Sequence, residues 1–408
     1  MIAFYVDRFS KGQIGGVHAY LRRVSHALQD KGINTVILTQ KSKDESPGEE
    51  ELDGLLVVRL DCGDLVDRLV RFNYAPEGEK ALLAKQLFKK SDIEVTALKL
   101  ARGLNLFIRD YKPHAIHFHN SFSLAPYALY FLKQNYPRNY PPSYYFWCHS
   151  PQKSLIYPDG SVNNLYNILA SFQNMFKMIF SVSKYVNNLM LKAGINSKVR
   201  YLGVDTAVFK KRAEVRLNIR DKFGLSAYHH LALYSGRFIK EKGLDLLPKI
   251  LEALIARDKK FSTFKFVLAG DGPYKASFLE IVKEHGLEDS FFLLRAENDD
   301  ELVDIYSQAN CFVFPTLREA FGLSITEAMS CSLPCFTTDL PGIREIITHT
   351  LNGILVKKGD ISEFVRWISS VHFNSSLEKS LGIAARETIE KKFAFKEHVD
   401  YFVRRLTK

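Results

Sequence analysis

Short runs rich in Val, Ile and Phe alternate with longer amphipathic stretches along the chain, the pattern of βα units wound around a parallel sheet. In the first half the runs predict strands over Ile2–Val6, Asn34–Leu38, Leu55–Leu60, Ala115–Phe118, Tyr144–Trp147 and Met178–Ser181. A helix over Val17–Gln29 follows the first strand. A second series runs through His230–Ser235, Phe264–Ala269, Phe291–Leu294, Cys311–Phe314 and Pro334–Thr337. The order of elements predicts an α/β protein with two doubly wound parallel sheets. The segment Val199–Asp205, with Gly203 inside it, reads as a hinge, which sets an N-terminal domain at 1–205 and a C-terminal one at 206–392. Phe393–Leu406 has helical spacing and follows the second sheet, and no short-period repeat is present.

A length of 408 residues suits two domains of roughly 200 residues each. Hydrophobic residues make up 46% and charged residues 25% of the chain, which excludes the disordered and fibrous classes. No stretch approaches the roughly 20 apolar residues of a membrane span, and the apolar start meets Asp7 and Arg8 too early for a signal peptide. Five cysteines, Cys62, Cys148, Cys311, Cys331 and Cys335, follow neither a disulfide framework nor a zinc spacing, so a cytoplasmic location is expected. The formal charge is +11, and residues 1–205 carry 26 Lys/Arg against 18 Asp/Glu while the remainder carries 30 against 27. Such a bias suits phosphorylated substrates or an anionic membrane surface as well as simple solubility. No zinc-finger, RNP or basic-zipper pattern points to nucleic acid.

The densest chemistry lies in Pro315–Met329, after the strand Cys311–Phe314, where the chain turns into a helix near Gly322. Glu319 precedes that helix and Glu327 falls in its second turn. Free backbone N–H groups and the positive end of the dipole make such a helix start a site for a diphosphate. Two carboxylates beside a dianion make sense if they hold neutral hydroxyls on either side of it, as sugar hydroxyls would be held. Each glutamate alone reads first as an ordinary loop or helix acid. Gly236–Asp245, after the strand ending at Ser235, adds Arg237, able to fork two phosphate oxygens, and Lys242, a point charge.

Gly270-Asp271-Gly272-Pro273 ends another strand in a tight turn, and Gly15-Gly16 precede the first helix, suited to meeting a phosphate through backbone amides. No G-x-G-x-x-G fingerprint accompanies them, which disfavours the alternative of a dinucleotide-dependent oxidoreductase. His117, His119 and His149 stand at the ends of first-half strands. A metal pair at His117 and His119 lacks a nearby acid or cysteine with ligand spacing, and His18, His114 and His117 read as structural. No Asp-x-Asp caps an apolar strand, so cationic side chains are expected where a metal would otherwise neutralise a diphosphate, and neither metal nor cofactor is expected.

These residues resemble the retaining GT-B glycosyltransferases of family 4. Glu319 and Glu327 match that family's E-x7-E motif, with Gly236-Arg237, Glu241-Lys242-Gly243, Gly270–Pro273, Pro341–Glu345 and Asn352–Val356 in the expected order. Gly15-Gly16, His117–Asn120, His149 and Ser181-Val182-Ser183 agree more loosely, and the hinge reads Leu202-Gly203-Val204-Asp205 where the family commonly has Asn-Gly-Val-Asp. The resemblance implies two Rossmann-like domains facing a cleft, with the last helix, about 393–408, crossing back to the first domain. It implies a donor nucleotide-sugar held by the second domain and an acceptor, a glycan or lipid-linked glycan, held by the first. Glu327 would hold the ribose, and Glu319 the donor sugar. Phe321, Gly322 and Leu323 would present backbone amides, Arg295 and Ala296 would meet the base through backbone, and Gly272 would line the donor. Gly16 would meet the phosphate, His149 the sugar near its C6 hydroxyl, and His119 and Asn120 the acceptor. UDP-glucose or UDP-N-acetylglucosamine is the expected donor, with GDP-mannose the alternative. A sugar-nucleotide-binding protein without activity is a further alternative.

Overall fold

Runs of apolar and β-branched residues with no polar break can bury both faces of a strand, and that requirement places them inside parallel sheets. The structure, a computed structural model of the chain, describes residues 1–10, 15–65, 67–68, 90–121, 124–139, 141–150, 154–156 and 162–406. The chain forms two compact units. One runs to Arg200 and resumes at Phe402; the other runs from Tyr201 to Tyr401 and also claims residues 15 and 16.

In the first unit the strands are β1 (Ile2–Val6), β2 (Thr35–Gln40), β3 (Gly48–Leu52), β4 (Leu55–Leu60), β5 (Ala115–His119), β6 (Ser143–Cys148), β7 (Ser154–Ile156), β8 (Val162–Asn164), β9 (Met178–Ser181) and β10 (Lys198–Val199). All but β7 and β8, which form a separate hairpin, join one sheet in the order β10-β9-β6-β5-β1-β2-β4-β3. Every residue of β1 and β2 is buried. The edge strand β3, antiparallel to β4, is exposed and carries Glu49, Glu50 and Glu51. Charge on an edge blocks further pairing, and the same charge hides the strand from a hydrophobicity pattern. Helices α1 (Gly16–Gln29), α2 (Lys90–Tyr111), α3 (Ala125–Asn135), α4 (Leu165–Ser171) and α5 (Lys184–Lys192) connect the strands. The buried stripe Tyr20, Leu21, Val24, Ser25 and Leu28 explains α1. The aromatic stretches 136–147 and 155–180 fall partly on residues 140 and 157–161, outside the described residues. Within the described part, Trp147 is fully buried, so it belongs to the core.

The second unit holds β11 (His230–Ser235), β12 (Phe264–Ala269), β13 (Phe291–Leu294), β14 (Cys311–Phe314), β15 (Cys335–Thr338) and β16 (Ile354–Val356) in one parallel sheet, ordered β13-β12-β11-β14-β15-β16. Its helices are α6 (Ile219–Phe223), α7 (Leu246–Arg257), α8 (Lys275–Glu284), α9 (Asp299–Gln308), α10 (Leu323–Ser330), α11 (Ile361–His372) and α12 (Ser375–Lys392). The last helix, α13 (Phe395–Leu406), begins in the second unit and ends in the first, where Phe402 packs 5.9 Å from Phe4 and 5.6 Å from Trp147 between ring centroids. Strand order reverses between β11 and β14, so the loops leaving their carboxyl ends diverge. Open α/β sheets bind ligands at such a point.

Arg386 of α12 fixes the far end of α10. Its guanidinium donates to the carbonyls of Ser330 (2.6 Å), Phe209 (2.6 Å) and Thr206 (2.8 Å) and pairs with Glu390. A cation at a helix C-terminus also complements the dipole. Arg386→Ala should destabilise the second unit by about 2–4 kcal/mol, because it strips several charge-assisted bonds from buried carbonyls. Arg386→Lys should lose less. Urea unfolding followed by fluorescence checks both, and a wild-type midpoint for Arg386→Ala would refute the assignment.

Candidate functional site

The loops leaving β11 and β14 are stitched together. Gly243 has φ 68°, and a Cβ there would lie 2.1 Å from the Pro315 carbonyl oxygen, so this crossing accepts only glycine. Beside it the Leu317 N–H donates to the Glu241 carbonyl at 2.8 Å, and the Thr316 hydroxyl to the same oxygen at 3.2 Å. Lys242 Nζ then meets Glu319 Oε2 at 2.6 Å, with both side chains largely buried. The ammonium also lies 5.3 Å from the centroid of the buried Phe314 ring. Glu319 Oε1 accepts the Ala320 N–H at 3.1 Å. The two predicted site residues Lys242 and Glu319 are thus direct partners.

Three residues on, Gly322 caps α10 with φ 103° and ψ 67°, a left-handed geometry that glycine adopts without strain. No side chain caps the helix and no acid lies in its first turn. The first intrahelical bond from this end is Thr326 N–H to the Gly322 carbonyl, so the N–H groups of Leu323, Ser324 and Ile325 precede it. The positive end of α10 is therefore left for an anion. Phe321 is buried immediately before this end. Glu327, also buried, receives the Tyr306 hydroxyl at 3.1 Å. Burial, and then the charge of Glu327, raise the Tyr306 pKa well above the ordinary phenol value, so this hydroxyl stays protonated and keeps donating.

Arg237 follows Gly236 in the β11 loop, and its carbonyl accepts the hydroxyl of the buried Tyr234 at 3.0 Å. The Tyr234 pKa is raised by burial and by Glu319 and lowered by Arg237, so both charges act on this one phenol. The turn after β12 is zipped to the same loop, where Phe238 N–H donates to the Asp271 carbonyl at 2.8 Å and Tyr274 N–H to the Phe238 carbonyl at 2.9 Å; within the turn, Gly272 N–H donates to Asp271 Oδ1 at 2.9 Å. Arg295 and Ala296 follow β13, and Arg295 Nε lies 3.9 Å from Glu297 Oε1. Glu319, Phe321, Gly322, Leu323, Glu327, Arg237, Lys242, Gly272, Arg295 and Ala296 therefore all lie on loops or a helix at the carboxyl ends of one sheet. Tyr306 and Tyr234 escape the sequence because Tyr234 sits in the apolar run of β11 and Tyr306 falls on the buried side of the amphipathic α9, so each reads as core. Asn352 has an architectural part: Oδ1 accepts Thr348 N–H at 2.7 Å, and Nδ2 donates to the Ile346 carbonyl at 3.1 Å and Thr388 Oγ1 at 2.9 Å.

Gly16 opens α1. At the end of β5, His119 Nδ1 lies 2.8 Å from His149 Nε2, and Asn120 Oδ1 accepts the His149 backbone N–H at 2.7 Å. His117 Nδ1 accepts the Trp147 indole N–H at 3.0 Å. His18 Nε2 contacts the Arg8 carbonyl at 2.7 Å and His114 Nδ1 the terminal amine at 3.1 Å. Burial pushes the pKa of both His117 and His149 down to about 3, so these rings are neutral near pH 7.

Comparison with known proteins gives a consistent result. The family model for Glycosyl transferases group 1 matches residues 215–388, and that for Glycosyltransferase Family 4 matches residues 14–208. The N-acetyl-alpha-D-glucosaminyl L-malate synthase of Bacillus anthracis is 24% identical over 62% of the chain and 65% of its own length, so the match spans just under two thirds of that relative. The sucrose-phosphate synthase of Thermosynechococcus elongatus superposes with a TM-score of 0.77 at 19% identity, covering 100% of the chain and 98% of the other. HepE of Anabaena, solved in complex with UDP and glucose, gives 0.69 at 16% identity, covering 100% and 99%. The two parallel-sheet units have the GT-B fold. No described helix is long and apolar enough to cross a membrane.

The buried histidines carry a pH signature. Unfolded imidazoles titrate near 6.5, whereas His117, His149 and His230 in the folded chain protonate only near 3. Between those values the unfolded chain binds more protons, so stability should fall as pH drops from 6.5 toward 3 and stay flat above 6.5 as far as these groups act. Melting temperatures from about pH 7.5 to about pH 4 test the slope, and His117→Gln should flatten it. An unchanged slope in that variant would overturn the account for His117.

Proposed function

Because the chain belongs to the group 1 glycosyltransferases, family 4, we propose that it transfers a hexose from a nucleotide-sugar to a glycan or lipid-linked glycan, with retention and without a metal. The observation that carries the reading is the pair Glu319 and Glu327 on either side of the uncapped start of α10, with Lys242 bonded to Glu319 at 2.6 Å. An arriving diphosphate competes with Glu319 for the Lys242 ammonium. Glu319, relieved of that partner, accepts hydroxyl protons from the donor sugar, while Glu327, oriented by Tyr306, accepts them from the ribose. Arg237, Lys242 and the N–H groups of α10 then draw the charge that develops on the leaving group.

In the reaction the bond from the anomeric carbon to the phosphate oxygen breaks and its electron pair leaves with the diphosphate. The acceptor hydroxyl forms the new bond on the same face and passes its proton to the departing phosphate oxygen. His149, neutral and held by His119, hydrogen-bonds a hydroxyl of the transferred sugar, and His119 and Asn120 serve the acceptor. UDP is the preferred nucleotide, a choice supported by HepE, which was solved with UDP and glucose. The basic bias of residues 1–205 supports peripheral contact with an anionic membrane carrying a lipid-linked acceptor.

Arg237→Ala and Lys242→Ala should each lower turnover by ~10²-fold or more, the cost of one fixed charge lost from the transition state. Near-normal turnover in both would sink the assignment. A panel of UDP- and GDP-sugars with lipid-linked and free acceptors, read by mass spectrometry, tests the activity itself; no transfer or donor hydrolysis from any of them would leave a binding protein. Calorimetric titration with UDP and GDP decides the base, and tighter binding of GDP would replace the preferred donor with GDP-mannose.

A further inference from the structure

The first sheet also reverses its strand order, because β1 lies between β2 and β5. The loops leaving β1 and β5 therefore diverge, and a polar bridge spans the point where they part. Asp7, the first residue after β1, accepts the Ser121 hydroxyl at 2.7 Å, and Ser121 is fully buried two residues beyond β5. Burial, and then the charge of Asp7, raise the pKa of the buried Tyr5, whose oxygen receives Gln40 Nε2 from the end of β2 at 2.6 Å. Desolvation raises the Asp7 pKa, and the bond from Ser121 opposes that rise.

Between β5 and Ser121 sits Asn120 with φ 56°, a left-handed residue that is not glycine. Its N–H donates to the Trp147 carbonyl at 3.0 Å, and its side-chain oxygen holds the His149 N–H at 2.7 Å. The His149 ring in turn meets His119 at 2.8 Å. Asp7, Ser121, Asn120, His149 and His119 thus form one connected path over the ends of three strands. We propose that Asp7 is a positioning residue: it pins Ser121, which holds the Asn120 turn, which fixes the backbone and ring of His149. The consequence for catalysis rests on the reading of His149 given above.

The test compares Asp7→Ala, Asp7→Asn and Ser121→Ala. Histidine-ring nitrogen NMR of the full chain should show the His119 and His149 resonances shifted or broadened in Asp7→Ala and Ser121→Ala. Asp7→Asn, which keeps an acceptor oxygen for Ser121, should leave them near their original positions. With the donor identified by the screen, Asp7→Ala should lower kcat by ~10-fold or more, while calorimetric affinity for UDP stays within about twofold because Glu319, Glu327 and Lys242 are untouched. Asp7→Asn should recover kcat to within about threefold. If Asp7→Ala does not fold, Ser121→Ala carries the same comparison. Unchanged ring spectra in the alanine variants, or an asparagine variant as impaired as alanine, would overturn the proposal. The spectra need no activity, so a protein without transfer would defeat the functional reading and still leave this one decided.

Discussion

Strand order in the second sheet reverses between β11 and β14, and the loops leaving those two strands are joined by the Lys242–Glu319 ion pair. Much of the candidate site follows from that bond and from the close crossing beneath it. Gly243 lets the β11 loop touch the Pro315 carbonyl, the Glu241 carbonyl anchors Leu317, and the chain is thereby aimed so that Gly322 can start α10 where it does. Glu327 then falls one turn inside the helix, in reach of Tyr306. The order of strands thus fixes where two carboxylates stand relative to one helix terminus.

An ion pair taken largely out of water recovers its desolvation cost only when its remaining valences are met. Glu319 meets this through the Ala320 N–H, and Lys242 through the face of Phe314. The pair is neutral as a whole, so it leaves the positive end of α10 uncompensated, and neither capping residue nor first-turn acid removes that potential. At the opposite end Arg386 takes the Ser330 carbonyl. The short helix is therefore held firmly at its C-terminal end and left open at its N-terminal one.

The sheets were legible in the sequence because their strands bury both faces and so read as unbroken apolar runs; Ile2–Val6, His230–Ser235 and Cys311–Phe314 fall where the pattern puts them. What pattern cannot see is a strand defined by its partner. β3 is a run of glutamates held against β4, and β10 and β16 are too short to carry a period of their own. The spacing of Glu319 and Glu327 was likewise visible, since a helix start separates them by less than three turns. Their partners were not. Tyr306 is one apolar helix residue among others until its hydroxyl is placed, and no sequence spacing announces that Lys242 and Glu319, far apart in the chain, touch.

Each sheet places a polar bridge at its reversal point, and the chemistry of the two bridges differs. In the second unit the bridge is an ammonium against a carboxylate, which any stronger anion can re-partner. In the first it is a carboxyl that receives the Ser121 hydroxyl, which carries no charge for a substrate to capture. On the proposed reading a phosphate entering the second site gains by breaking the bridge, whereas no ligand gains by breaking the first, because a buried hydroxyl left without an acceptor costs more than it returns. The same device serves opposite ends: a contact made to be exchanged beside Glu319, and one made to persist behind His149.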